Sequence, residues 1–117
     1  LWGLLYPVIL AASPPQSIKL NYDRDQKILR IDIAHPTPNV RDHYIRRIEV
    51  YHNELEVFKM TYASQKAKGQ TQDIALEAKE NDVIKVRVYC NESGPVEEVL
   101  TIPVAEKIKN EEGSDAK

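Results

Sequence analysis

The sequence has few of the residues on which several common kinds of site depend. One Cys among 117 residues excludes an internal disulfide and any zinc site built from several cysteines. Four Gly, with no GxGxxG or GxxxxGK[ST] pattern, exclude a glycine-rich phosphate loop. Lys and Arg number 16 against 18 Asp and Glu, so no basic excess is present to neutralise nucleic-acid phosphates. The length suits one domain, and we expect no nucleic-acid partner.

Charge is missing from the start of the chain, where no charged residue precedes Lys19. Ten of the residues 1–12 are apolar, a run too short to cross a bilayer, which takes about 20 residues. Such a run, followed by the small residues Ala11, Ala12 and Ser13, is typical of a secretory signal. We therefore predict an exported protein, periplasmic or extracellular, that contacts a membrane only through this segment.

Two alternatives stay open for this segment: an uncleaved signal that tethers the protein to a membrane, and a first strand of the core. Pro7 counts against the strand because proline cannot donate to a sheet ladder. The predicted organisation is a signal or anchor segment over residues 1–17, one domain over 18–104 and a charged flexible tail over 105–117. The tail has too little apolar surface to fold.

Beyond residue 17, apolar and polar residues alternate with the period of a β-strand, and no window shows a helical stripe. The alternation predicts strands over 18–22, 27–34, 45–52, 55–62, 71–76, 83–90 and 96–104. Asn53 and Glu54 form a predicted hairpin turn, and Pro103 predicts an edge position for the last strand. Seven short strands separated by turns predict an all-β, immunoglobulin-like antiparallel sandwich.

Three side chains of this predicted sandwich are candidate metal ligands. His35 and His43 flank the irregular segment 36–42, and Cys90 ends the strand over 83–90. Because a loop and a strand end meet at one rim of a sandwich, we predict a site of imidazole and thiolate donors, which suit iron, copper or zinc. The competing interpretation is a buried Cys that packs as a small apolar residue beside two hydrogen-bonded loop histidines. His52 is predicted on the inward face of its strand, away from the loop.

These residues stand in an order that resembles the iron domain of superoxide reductases, the family of neelaredoxin and desulfoferrodoxin. The resemblance covers residues 27–94 and rests on His35-Pro36, His43-Tyr44-Ile45, Ile48-Glu49-Val50, Tyr89-Cys90-Asn91 and Gly94. It implies a seven-stranded immunoglobulin-like sandwich that binds ferrous iron through four equatorial histidines and one axial cysteine. It also implies reduction of superoxide at the open sixth position of the iron.

The ligand set implied by the resemblance is incomplete in this chain. His35 and His43 match two of the equatorial histidines, and Cys90 matches the axial cysteine. Ser93 stands where the family has a histidine after the cysteine, and no histidine precedes His35. At most three of five ligands are present, so we expect no superoxide reduction at the family's rate. Iron at this site and no metal at all are both open at this stage.

The main functional hypothesis is an exported superoxide reductase-like sandwich that acts as a non-catalytic binding or interaction module. Its partner is expected to be a redox donor or a scaffold protein, or a second copy in an oligomer. One alternative is a divergent superoxide reductase that binds iron through His35, His43, Cys90 and further ligands.

Two other hypotheses come from different classes of protein. Residues 33–36 and 50–58 also resemble the small sandwich subunit of the periplasmic thiosulfate-oxidation carrier complex, which implies a metal-free scaffold. A copper electron-transfer site would use the same two histidines and Cys90, with Met60 as a distant axial ligand. The order His, His, Cys along the chain does not match the usual arrangement of copper proteins.

Overall fold

Seven strands form two antiparallel sheets in the computed structural model, which describes residues 14–104 and contains no helix in that range. The strands are β1 (Ser17–Asp23), β2 (Ile28–Ala34), β3 (Ile45–His52), β4 (Leu55–Thr61), β5 (Gly69–Ala75), β6 (Val83–Cys90) and β7 (Val96–Thr101). One sheet has the order β1-β2-β5 and the other β4-β3-β6-β7. The predicted all-β sandwich is confirmed.

Two parts of the predicted organisation lie outside the described residues. These are residues 1–13 of the predicted signal segment and the predicted tail over 105–117. Within residues 14–104, no helix is long and apolar enough to cross a membrane.

The core lies between the sheets and consists of their inward aliphatic side chains. On β2, Leu29, Ile31 and Ile33 are buried, whereas Arg30 on the opposite face is exposed. The same alternation on β6 buries every second residue. Thirteen apolar side chains form one buried cluster: Ile18, Leu29, Ile31, Ile33, Ile45, Ile48, Val50, Ile74, Leu76, Ile84, Val86, Val88 and Ile102. Because a shift of one residue would turn a whole strand outward, this burial sets the register of each strand.

Two strand boundaries differ from the prediction by two residues or more, and the other differences are of one residue. β5 begins at Gly69 because that residue pairs with Ala34 and so extends the ladder into the polar loop. The last strand ends at Thr101, since the backbone amide of Ile102 donates to the carbonyl of Asp82 at 2.8 Å and leaves the ladder. Pro103 therefore lies beyond the strand, although β7 is an edge strand as predicted.

The predicted hairpin turn between β3 and β4 is present at Asn53 and Glu54. Both residues have positive φ, 50° and 75°, which is the backbone of a type I′ turn. The side-chain oxygen of Asn53 accepts from the amide of Val83 at 2.8 Å, so the turn is tied to the start of β6. That bond offsets the conformational cost of a left-handed Glu.

Asp82 connects the turn before β6 with residues 52 and 53 at this same end of the sandwich. Its carboxylate accepts from the Lys79 amide at 3.0 Å, from His52 Nε2 at 2.7 Å and from Asn53 Nδ2 at 3.1 Å. The Lys79 amide contributes most, followed by His52 and Asn53, and together they hold the pKa of Asp82 well below its ordinary value. His52 is thus a structural residue, and it lies at the opposite end of β3 from the candidate site.

Gly69 provides the first test, because its backbone has a φ of +148°, which L side chains rarely adopt. A Cβ at Gly69 would lie 1.9 Å from the carbonyl oxygen of Ile33, a backbone atom that cannot rotate away. We expect Gly69→Ala to lower the free energy of unfolding by at least about 2 kcal/mol in urea denaturation. Gly94→Ala is the matched control, since its Cβ meets nothing within 4 Å. Equal losses in the two variants would contradict this account.

Asp82 provides a test of pH dependence. Folding lowers the pKa of the Asp82 carboxyl, so its contribution to stability is fully present above its unfolded pKa of about 3.9. That contribution is lost as the pH falls through the folded pKa. We expect Asp82→Asn to lower stability at neutral pH and to weaken the acid dependence, measured by urea denaturation across this range. Asp73→Asn, which removes an exposed ion pair with Arg30, serves as the control and should change little. An unaltered acid dependence in Asp82→Asn would count against the assignment.

Candidate metal centre

His35, His43 and Cys90 converge at one end of the sandwich. His35 follows the last residue of β2, His43 lies two residues before β3, and Cys90 is the last residue of β6. Cys90 pairs directly with Ile45, the first residue of β3, so the ladder places the sulfur beside the incoming loop. The structure therefore brings together all three predicted residues, and their role as metal ligands stays a prediction.

The ligand atoms of these three side chains lie within 4.8 Å of one another. Two donors on one ion are at most about 4.4 Å apart when metal–sulfur bonds are near 2.3 Å and metal–nitrogen bonds near 2.1 Å. The spacing of the three ligand atoms is thus close to what one shared ion requires.

Burial removes this group from water. His35 is 1% exposed and Cys90 is 2% exposed, while His43 is half-buried. The two imidazole rings stand edge to face, with centroids 4.7 Å apart and planes at 86°. The Nε2 atom of His43 is buried and has no hydrogen-bond partner. A buried nitrogen without a partner costs stability, and a metal ion is one group that would satisfy it.

Gln65 anchors His35 from the loop between β4 and β5. Its side-chain Nε2 donates to the carbonyl of His35 at 2.6 Å and to the carbonyl of Lys66 at 2.9 Å. Its Oε1 accepts from the amide of Ile45 at 2.9 Å and lies 2.8 Å from Nδ1 of His35. One buried amide thus connects the end of β2 and the start of β3 with the loop between β4 and β5.

These bonds also determine the tautomer of His35. The amide of Ile45 can only donate, so the Gln65 atom that receives it must be the oxygen. The same oxygen then accepts a hydrogen from Nδ1 of His35, so in the neutral ring the lone pair is on Nε2. A second residue that orients a histidine through its other ring nitrogen is a regular feature of metal sites.

Asn91 holds the loop of His43 against the end of β6. Its backbone amide donates to the carbonyl of Tyr44 at 3.0 Å, and its side-chain oxygen accepts from the amide of Tyr44 at 2.9 Å. Its side-chain nitrogen donates to the carbonyl of Asp42 at 2.8 Å. Asn91 is therefore hydrogen-bonded to both neighbours of His43. These bonds explain how a long loop places the His43 ring beside the sulfur.

The turn after Cys90 contributes two further features. The amide of Glu92 donates to Cys90 Sγ at 3.4 Å. The hydroxyl oxygen of Ser93 is buried and has no hydrogen-bond partner. Ser93 therefore presents a neutral hydroxyl in the turn where the resemblance places a histidine.

Gln65 and Asn91 were not among the residues predicted for this site. Asn91 lies in the Tyr89-Cys90-Asn91 motif, so that motif was a usable signal for it. Gln65 lies in a polar stretch with no pattern that distinguishes it from Gln70 or Gln72. Its role depends on burial, which is a property of the assembled fold.

A second polar cluster surrounds Glu49 on the outer face of the four-stranded sheet. Burial by itself raises the pKa of Glu49, but a hydrogen bond from Tyr51 and the charge of Arg47 outweigh it, so the pKa is lowered. Tyr51 donates at 2.8 Å and Arg47 Nε lies 3.0 Å away. The carboxylate is thus held ionised by its own sheet.

Among residues 14–104, the one group of His, Cys, Asp and Glu side chains arranged to hold a metal ion is the candidate site at the rim.

Comparisons with known proteins agree on the fold and on a family. A family model described as Desulfoferrodoxin matches residues 16–98. The superoxide reductase (neelaredoxin) from Ignicoccus hospitalis is similar in structure, with a TM-score of 0.62 and 24% identity over 77% of this chain and 81% of that one.

Two further solved structures are similar at lower identity. A superoxide reductase in the oxidized state has a TM-score of 0.61 and 19% identity over 77% of this chain and 90% of the other. The superoxide reductase (1Fe-SOR) from Giardia intestinalis has a TM-score of 0.58 and 15% identity over 73% and 95% of the two chains. Among curated proteins, no sequence matches significantly.

Gln65→Ala tests whether this amide holds the rim together in the metal-free protein. The substitution leaves the buried amide of Ile45 without its acceptor and the carbonyl of His35 without its Gln65 donor. We expect the free energy of unfolding to fall by about 2 kcal/mol in urea denaturation, the order of the cost of buried polar groups left unpaired. Gln70→Ala, at a half-buried position of the neighbouring strand, is the control. A Gln65→Ala variant as stable as the control would show that the rim does not depend on this amide.

Proposed function

The chain belongs to the desulfoferrodoxin family, and we propose that it is a metal-binding member that does not reduce superoxide at the family's rate. The proposed ligands are Nε2 of His35, Nε2 of His43 and Sγ of Cys90. The observation that carries the proposal is the buried Nε2 of His43, which lacks a hydrogen-bond partner, in a residue whose ligand atom lies within 4.8 Å of those of His35 and Cys90.

The donor set fits a transition-metal ion but not the complete iron site that the resemblance implies. Two imidazoles and a thiolate are donors that such ions accept. The implied iron site takes four histidines and a cysteine, and this chain has three histidines in total. One of them, His52, is bound to Asp82 at the opposite end of β3. The chain alone therefore cannot supply that set.

The proposed role is a binding module rather than a catalyst. A bound ion would act as a Lewis acid or, if redox-active, would exchange an electron, and the protein's part is to hold it. Gln65 and Asn91 hold the segments of His35 and His43 through hydrogen bonds of the protein itself, which favours binding with little rearrangement. We further propose that the protein is exported, on the strength of the apolar residues 1–12, and that it works with a protein partner.

Cobalt(II) binding tests the proposal, because sulfur ligation to this ion gives a near-ultraviolet charge-transfer band. With reduced protein under anaerobic conditions, we expect one Co²⁺ per chain and stabilisation of about 2.7 kcal/mol when free Co²⁺ is one hundred times its dissociation constant. Cys90→Ser should lose the band, and His43→Gln should bind at least about tenfold more weakly. His52→Gln, which keeps a donor for Asp82, is the matched control and should bind as the wild type does.

Two results would overturn the proposal. If the wild-type protein binds no Co²⁺, or binds it equally well after Cys90→Ser, the three residues are not a metal site. If the iron-loaded protein consumes superoxide much faster than Cys90→Ser treated identically, the protein is instead a divergent superoxide reductase.

A further inference from the structure

We infer that this site takes Zn²⁺ in preference to ferrous iron, an inference that rests on the proposed function. The donors that remain are two imidazole nitrogens and one sulfur, all on the protein's own rim. Three protein ligands of this kind with an open fourth position are the arrangement of catalytic zinc sites. The inference concerns which ion the chain holds, and not only that it holds one.

Among residues 14–104, no fourth strong donor lies in the group with His35, His43 and Cys90. His52 is seven residues along β3 from Ile45, a separation of roughly 23 Å in a strand. The search of described residues for clustered His, Cys, Asp and Glu places no carboxylate in the group with Cys90. The amide of Gln65 already uses its oxygen on two contacts and its nitrogen on two carbonyls. Within the described part of the chain, an ion at the rim therefore has three protein donors.

The neutral oxygen atoms nearby do not change this count. The side chain of Asn91 is engaged at both its oxygen and its nitrogen by the loop of His43. The hydroxyl of Ser93 is buried and has no partner, but a neutral hydroxyl is a weak ligand beside imidazole and thiolate. The site lacks the ring of nitrogens that would favour iron by geometry.

Donor number decides between the two ions. For one set of nitrogen, oxygen or sulfur ligands, affinity rises from Fe²⁺ to Zn²⁺, so a protein selects iron only by imposing a geometry that zinc does not favour. Zinc accepts four-coordinate sites readily, and three protein ligands plus water complete one. With too few histidines to impose a higher coordination number, the intrinsic order prevails. Copper stands higher still in that order, so the inference is limited to zinc against ferrous iron.

Ser93→His is the informative variant, because it places an imidazole where the resemblance has one. The Ser93 hydroxyl is buried in the turn that follows Cys90, three residues after the proposed sulfur ligand. A fourth nitrogen would move the site toward the iron-type donor set. We expect the preference for zinc over iron to fall by at least about tenfold, the smallest effect usual for a residue that supports a metal site.

Equilibrium dialysis of the full chain against equal concentrations of Zn²⁺ and Fe²⁺, anaerobic and reduced, tests the inference by elemental analysis of the bound metal. We expect zinc near one per chain and iron below about one tenth of that in the wild type, with relatively more iron in Ser93→His. His52→Gln should behave as the wild type does, and thermal melting should establish that each variant is folded.

The outcomes separate this inference from the proposed function. Iron bound as well as or better than zinc by the wild type would overturn the zinc preference while leaving the metal site intact. Binding of neither ion by the wild type would remove the metal site itself. A folded Ser93→His variant with an unchanged zinc-to-iron ratio would show that donor number does not set the preference.

Discussion

Burial of one aliphatic face from each sheet is the constraint on which the rest of this structure depends. Leu29, Ile31 and Ile33 on β2 face Ile48 and Val50 on β3 across one continuous core. A slip of one residue would turn the buried side chains of a strand outward, because side chains alternate between faces. Once the registers are set, the end of β2, the start of β3 and the end of β6 fall at the same rim. The candidate ligands meet there as a consequence of core packing.

The rim is then held by a few polar contacts rather than by apolar area. Gln65 joins the segment of His35 to the start of β3, and Asn91 joins the segment of His43 to the end of β6. These bonds hold the segments that carry the three donors, whose ligand atoms lie within 4.8 Å of one another. The opposite end of the sandwich is organised in the same way around Asp82, with His52 as a structural partner. His52 thus has a different role from the one proposed for His35 and His43, because it lies at the other end of the sandwich.

Family membership and metal chemistry diverge in this chain. The matched segment of residues 16–98 covers the whole sandwich, so the fold has been retained. The donor set has not been retained in full, since the chain has three histidines and a serine after its cysteine. The hydrogen bond between Gln65 and His35 and the burial of Cys90 nevertheless support the proposed metal site. The family has an iron site, whereas we propose that this chain has a three-ligand site for a different ion.

The amino-acid sequence by itself determined the all-β class, the approximate strands and the identity of the three candidate ligands. It could do so because alternation and turn residues are local properties, and because histidine and cysteine are rare here and easily singled out. Tertiary structure alone decided that Gln65 is a buried anchor, that His35 carries its lone pair on Nε2, and that β5 begins at Gly69. Each of these depends on contacts between segments about 20 to 35 residues apart in the chain. Local pattern does not encode such contacts, since an exposed and a buried glutamine look the same until the sheets are assembled.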